Sequence, residues 1–312
     1  MTTRRHFLGQ GGLAAAALMT LPSLKGLAAA GATAAKGATT TGAKAAAGKG
    51  LPGLQLYSLR DQLPKDPQGW IAKVAQAGYQ NVETFGLDDD SKFFGLDTKS
   101  FKALLDQNNL ISTSGHYGMD EYLSKGTEND LGRYIDSVHT LNQKYLTVPY
   151  LEEHFRKTEA DWVKLAGQFN DLATRLKKEG ILMAYHNHNF EFVPVNGQTR
   201  GLDILLKNAD PGLVHFEMDL YWVARGGGDP VKLFQENPGR FVMWHLKDMD
   251  KTTPTLNTEV GSGSIDFVKI FQYYTLAGEE QTFMEQENYA AGMDPYTSIA
   301  QSAAYIKNKL LV

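Results

Sequence analysis

The chain contains no cysteine. That excludes a disulfide framework, a thiolate metal site and a cysteine nucleophile, so a metal here has to be met by imidazole and carboxylate. A surplus of positive charge is also missing. Asp and Glu outnumber Lys and Arg by 35 to 31, for a net charge of −4, and nothing in that balance draws the protein to nucleic acid. No clean apolar run approaches the roughly 20 residues of a membrane span, so stable membrane insertion is not expected. No Gly-x-Gly-x-x-Gly follows the first strand-like segment, which argues against a dinucleotide-binding sheet. What is present is an ordinary globular mixture, 42% hydrophobic and 21% charged.

The first thirty residues do not read as part of a fold. Thr3-Arg4-Arg5-His6-Phe7-Leu8 resembles a twin-arginine export signal. The weakly apolar segment after it, Gly11 to Leu27, is broken by Thr20, Pro22, Ser23 and Lys25, and Ala28-Ala29-Ala30 offers a small-residue cleavage site. Residues 1–30 are therefore expected to be a signal peptide and the mature protein to be periplasmic. A cysteine-free chain suits export after folding. Residues 31–50 are Ala, Gly, Thr and Lys without apolar periodicity and read as a flexible linker.

From residue 51 to 312 the pattern alternates. Leu54–Leu59, Asn81–Phe85, Leu110–Ser114, Tyr145–Pro149, Ile181–Ala184, Val214–Asp219, Phe241–His245 and Gln281–Glu285 read as strands. Between them lie helical stripes, the longest of them Trp162, Leu165, Phe169, Leu172 and Leu176. Eight strand–helix pairs about 30 residues apart predict a single (β/α)₈ TIM barrel, whose chemistry sits at the carboxyl ends of the strands. Those ends are polar. The fifth runs into Tyr185-His186-Asn187-His188-Asn189-Phe190-Glu191-Phe192, the sixth ends at Asp219, the seventh at His245-Leu246-Lys247-Asp248 and the eighth at Glu285-Gln286-Glu287. Neighbouring strand ends converge, so Asp219, His245 and Glu285 are expected to face one point. One imidazole and several carboxylates suit one divalent ion, with Mn, Mg, Co and Zn all open.

These motifs, with Gly53-Leu54-Gln55-Leu56-Tyr57-Ser58-Leu59-Arg60-Asp61, Gly78-Tyr79-Gln80-Asn81-Val82-Glu83 and Gly115-His116, resemble the sugar isomerase/epimerase superfamily with its xylose-isomerase-like TIM barrel, which also contains endonuclease IV. The resemblance implies a metal held by a Glu from strand five, an Asp from strand six, a His from strand seven and a Glu from strand eight. Asp219, His245 and Glu285 match. At strand five the chain departs, with Tyr185 or His186 in the usual Glu place and Glu191 several residues later. Glu191 is taken as the fourth ligand, leaving His186 or His188 for proton transfer and Lys247 to donate to charge developing on the substrate. Gln55, Tyr57, Glu83, His116 and Trp222 are expected to bind substrate. The implied activity is metal-dependent isomerisation or epimerisation, by proton abstraction beside a polarised carbonyl or hydroxyl. The expected partner is a small, unphosphorylated sugar or keto-sugar, since no arginine cluster marks a phosphate site. Alternatives are a keto-glycoside lyase or dehydratase, or a non-catalytic carbohydrate-binding barrel. A nuclease is disfavoured by the acidic charge.

Overall fold

The computed structural model describes residues 50–312. The signal peptide expected over 1–30, with Arg4 and Arg5, and the linker expected over 31–50, save Gly50, lie outside the described residues. Eight parallel strands close into a barrel: β1 (Pro52–Gln55), β2 (Asn81–Thr84), β3 (Ile111–His116), β4 (Tyr145–Val148), β5 (Leu182–His186), β6 (Val214–Asp219), β7 (Met243–Leu246) and β8 (Gln281–Met284). Each pairs with its neighbours in sequence, and β8 pairs back to β1 through Pro52 with Thr282 and Leu54 with Met284.

The helices start where the sequence supplies caps. Asp66 before Pro67, Asp229 before Pro230 and Asp294 before Pro295 each put a carboxylate on the first-turn amides and a proline where no amide is needed. Helix Glu159–Lys177 opens with a reciprocal capping box of Thr158 and Asp161, and it buries all five residues of the stripe from Trp162 to Leu176. Among the described residues, no helix is long and apolar enough to cross a membrane.

Some strand limits differ from the sequence reading. β1 stops at Gln55 rather than running to Leu59. The Gln55 side chain accepts a 2.9 Å hydrogen bond from the Tyr57 amide and turns the chain into a short 3₁₀ helix, Leu56–Leu59. β3 starts at Ile111 rather than Leu110, and β7 starts at Met243 rather than Phe241.

Strand side chains alternate, so residues two apart share the barrel interior at successive depths. Tyr145, Ala184, Met243 and Phe283 belong to one small apolar cluster that plugs the interior. Gly53 admits the Phe283 ring: a Cβ there would lie 2.6 Å from the ring and 2.4 Å from the Thr282 carbonyl oxygen. Two residues onward along these strands stand Gln55, Thr147, His186, His245 and Glu285. The alternation that packs the plug thus also delivers the polar set, one layer nearer the mouth.

Candidate functional site

The deeper polar layer is a continuous network around two buried carboxylates. Glu83, from β2, accepts from Gln55 Nε2 at 2.8 Å and Ser114 Oγ at 2.6 Å. Its Oε2 also lies 2.7 Å from His245 Nε2 and 3.2 Å from His116 Nε2. Glu217, from β6, places Oε2 2.8 Å from His116 Nε2, 3.0 Å from His186 Nδ1 and 3.2 Å from His245 Nε2, while its buried Oε1 meets no partner. Burial alone would raise both carboxyls. For Glu83, the imidazoles of His116 and His245 outweigh it and hold the group well below the usual carboxylate range. Glu217, despite the added repulsion of Glu83, is brought down to about 2 by the surrounding imidazoles. Burial opposes a charge on His116 too, but Glu83 and Glu217 overcome it and lift the ring to about 9, so it stands as a cation between them.

Nearer the mouth, His245 turns Nδ1 to Glu285 Oε2 at 3.2 Å, and His186 turns Nε2 to Asp219 Oδ2 at 3.8 Å. Lys247 is completely buried and directs its ammonium to Asp219 Oδ2 at 3.3 Å, to Glu285 Oε2 at 3.0 Å and to Glu287. Burial works against that charge, but the three carboxylates outweigh it and hold Lys247 protonated far above neutrality. Burial first, then the neighbouring His245, keeps His186 neutral, well below the usual imidazole value.

Two overlapping groups of residues could hold a metal: His116, His186, Glu217 and His245, and His186, Asp219, His245 and Glu285. Spacing separates them. A four-coordinate ion with bonds of 2.0–2.2 Å keeps its ligand atoms about 3.3 Å or more apart. In the group nearer the mouth the measured pairs, 3.2 and 3.8 Å, bracket that value. In the deeper group His116 and His186 approach Glu217 at 2.8 and 3.0 Å, which are hydrogen-bond lengths. The donor set nearer the mouth, two imidazoles and two carboxylates, is the better fit to an ion.

The residues singled out in the sequence fall into three places. Asp219, His245 and Glu285 do converge, together with His186. Glu191, taken from the sequence as the fourth ligand, does not join them. After β5 the chain enters a 3₁₀ turn, Phe190–Phe192, which folds the Glu191 carboxylate back onto its own segment. There it accepts from the His188 amide at 3.0 Å and from the Tyr185 hydroxyl, and burial pushes it up to about 7. Gln55 and Glu83 lie in the deeper layer rather than on the cavity wall. Both polar ends of Gln55 are taken up, by Glu83 and by the Tyr57 amide. Lys247 spends its donors on three carboxylates, and Asp248 turns away to accept backbone amides of Met249, Gly261, Gly263 and Ile265.

Above the site opens a cavity of about 470 Å³ whose wall includes Tyr57, His116, His186, His188, Trp222 and Glu285. The His188 ring stacks on Phe190, lies against Trp222 and Tyr150, and leaves Nδ1 without a partner. Burial first, and then the Lys247 ammonium, lowers its pKa to about 3, so it is a neutral imidazole at the cavity wall. None of the described residues lining the cavity is Lys or Arg. Sequence reasoning missed Glu217, although it stands two residues before Asp219 and so shares its interior face. Glu287, which meets Lys247, and Tyr150, which packs on His188, carry no sequence signal that marks them as site residues.

A closed barrel with a buried imidazole–carboxylate cluster at its carboxyl end defines the class, and the chain belongs to the xylose isomerase-like TIM barrel family, whose model matches residues 71–307. It is similar to an inosose dehydratase of Lacticaseibacillus casei, 22% identical over 270 residues that cover 76% of this chain and 87% of the relative. Among solved structures it is similar to a sugar phosphate isomerase/epimerase from Parabacteroides distasonis, with 30% identity, a TM-score of 0.74 and coverage of 89% of this chain and 100% of that one. The fold is also shared by the IOLI protein, solved with a binding zinc atom, at 10% identity and a TM-score of 0.65, covering 82% and 96% of the two chains. These comparisons set the chain in an enzyme family of isomerase/epimerase or dehydratase type.

Proposed function

We propose that this protein is a divalent-metal-dependent isomerase or epimerase of unphosphorylated sugars or keto-sugars, with His186, Asp219, His245 and Glu285 holding the ion. The observation that carries this reading is the convergence of those four buried side chains at the floor of the cavity, with a neutral imidazole, His188, beside them. The IOLI protein, which shares the fold, was solved with zinc. An ion in that place would polarise a carbonyl or hydroxyl oxygen of the sugar and so acidify the neighbouring C–H.

The chain's own groups do the rest. His188 lines the cavity as a neutral imidazole at pH 7, a state in which a ring nitrogen turned to the sugar can take the C–H proton. Lys247 holds Asp219 and Glu285 in place and balances their charge. Tyr57, Tyr150 and Trp222 offer rings on which the apolar face of a sugar stacks. Return of the proton from His188 to the adjacent carbon, with the hydroxyl proton moving to the former carbonyl oxygen, completes an isomerisation. Phosphate is disfavoured as a handle. Among the described residues the cavity wall has no Lys or Arg, the charge on His116 is already met by Glu83 and Glu217, and nearby Arg60 is committed to the Tyr57 and Glu287 carbonyls and the Tyr57 ring.

A second reading is favoured by the presence of one free base rather than two. The same proton abstraction, followed by cleavage of the C–O bond to a β-substituent that leaves as water or an alcohol, gives elimination. The similarity to an inosose dehydratase supports it. Incubating the protein with a panel of keto-sugars and glycosides in D₂O with Mn²⁺, read by NMR, separates the readings. Deuterium at the carbon next to the carbonyl, with rearranged sugar, is expected. Release of an unsaturated product selects elimination. Binding without exchange overturns both and leaves a carbohydrate-binding barrel. We propose also that residues 1–30 export the protein by the twin-arginine route, which suits a substrate without phosphate.

A further inference from the structure

The two candidate metal groups share His186 and His245, and a neutral imidazole has one lone pair to give. Each of these rings has one nitrogen in the deeper network and one facing the carboxylates nearer the mouth. His186 sets Nδ1 3.0 Å from Glu217 and Nε2 3.8 Å from Asp219. His245 sets Nε2 2.7 Å from Glu83 and Nδ1 3.2 Å from Glu285. Which nitrogen carries the proton decides which one can reach an ion.

We infer that Glu217 is a positioning residue: it fixes the proton of His186 on Nδ1, and so frees Nε2 for the ion held with Asp219, His245 and Glu285. This rests on the metal reading proposed above. Glu217 is fully buried, it is the carboxylate within hydrogen-bond reach of His186 Nδ1, and a carboxylate accepts but cannot donate. Glu83 stands in the same relation to His245 Nε2, supported from behind by Gln55 and Ser114. Glu217 has no such backing: its Oε1 is unpartnered, so its grip on His186, His116 and His245 runs through one oxygen. A Gln at this position could turn its amide and donate to Nδ1 instead. That would move the ring proton to Nε2 and withdraw His186 from the ion.

The test uses Zn²⁺ or Co²⁺ alone as the probe, with the barrel protein carrying residues 1–312. In the Zn²⁺-loaded wild type, long-range ¹H–¹⁵N NMR of the imidazoles is expected to show His186 protonated on Nδ1 and ligating through Nε2. Glu217→Gln is expected to weaken metal binding by about 10–100-fold, read by chelator competition, and to alter the Co²⁺ absorption bands. In a His186→Glu background residue 186 no longer has a ring nitrogen to orient, so adding Glu217→Gln should change affinity far less than in the wild type, by no more than its 3.2 Å contact to His245 contributes. Weakening by the same factor in both backgrounds overturns the inference and makes Glu217 a merely structural group. So does ligation by His186 Nδ1, which the wild-type spectrum reports even if the variants do not fold. A wild type that binds neither metal instead overturns the underlying metal reading, and the two failures are thereby told apart.

Discussion

Lys247→Met tests the electrostatics of the site most directly. The ammonium is wholly buried and is shared by Asp219 at 3.3 Å, Glu285 at 3.0 Å and Glu287. Met nearly preserves the volume and removes the charge, so the substitution leaves two fully buried carboxylates and one partly buried one without their cation. Breaking a buried pair by deleting one partner costs about 3–5 kcal/mol, because the remaining charge is stranded. At roughly 2–4 °C per kcal/mol for a domain of this size, that is a fall in melting temperature of roughly 10 °C in the presence of a chelator. A divalent ion on Asp219 and Glu285 supplies the missing positive charge. The same substitution should therefore raise metal affinity by about tenfold or more, since a competing cation has been withdrawn from two of the ligand carboxylates. Urea denaturation with EDTA, then with saturating Mn²⁺, reads both effects. The variant should be much weaker than wild type without metal and recover most of the difference with it. A variant within about 1 kcal/mol of wild type in EDTA, or one that binds Mn²⁺ more weakly, would refute the reasoning.

The other predictions follow from the same geometry. His186→Asn should lose metal by elemental analysis, whereas His188→Asn should keep it and lower solvent deuterium exchange by about 10²–10⁴-fold; retention of metal by the first or full exchange by the second counts against the assigned roles. Glu191, raised by burial to about 7, favours the folded state fully below its ordinary carboxylate value and loses that contribution as pH rises to about 7. Wild type should thus lose about 3 kcal/mol more than Glu191→Gln between pH 4.5 and 8 in urea titrations, with the metal content of the variant unchanged. His245 is held well above the usual imidazole value, by Glu217, Glu285 and Glu83 against the opposing effect of burial, so an ion must displace its proton. Metal affinity should fall about tenfold per pH unit on acidification, measured by calorimetry in two buffers to count the protons released. Replacing Arg4 and Arg5 by Lys should leave the precursor in the cytoplasm on fractionation; normal export would end the localisation proposal.

The alternation of strands and helices was legible because both periods are strong here and caps such as Asp229-Pro230 punctuate them. That Asp219, His245 and Glu285 meet was legible too, since adjacent strand ends in a closed ring have nowhere else to point. Depth and direction were not. Gln55 and Glu83, at or near the ends of their strands, are enclosed by the imidazole and hydroxyl network and do not reach the cavity wall, and nothing local states whether a side chain at a strand end is covered once the barrel is closed. Glu191 follows β5 by five residues, a spacing that does not reveal whether the chain continues outward or curls. The 3₁₀ turn at Phe190 curls it, and the Tyr185 hydroxyl and His188 amide capture the carboxylate. Glu217 was concealed by its setting within an apolar strand, although its two-residue offset from Asp219 places both on the interior face.

Charge ties these parts together. Glu83, Glu217, Asp219, Glu285 and Glu287 stand as five carboxylates within one connected network, and the cations that meet them are Lys247, His116 and His245. The shortfall is concentrated nearer the mouth. It falls on Asp219: burial and then the proximity of Glu285 raise it, overcoming Lys247 and His245, whereas against burial those same two cations hold Glu285 low, and the deeper Glu83 and Glu217 are held low as well. The deeper layer is therefore balanced by its own imidazoles, and the layer nearer the mouth is the one that gains from a further positive charge. A divalent cation relieves that imbalance, while a phosphate dianion entering the same cavity would deepen it. The ordering of charge along the barrel axis thus favours an ion between His186, Asp219, His245 and Glu285 and a neutral sugar above it, with the anchoring acids kept out of the substrate's reach.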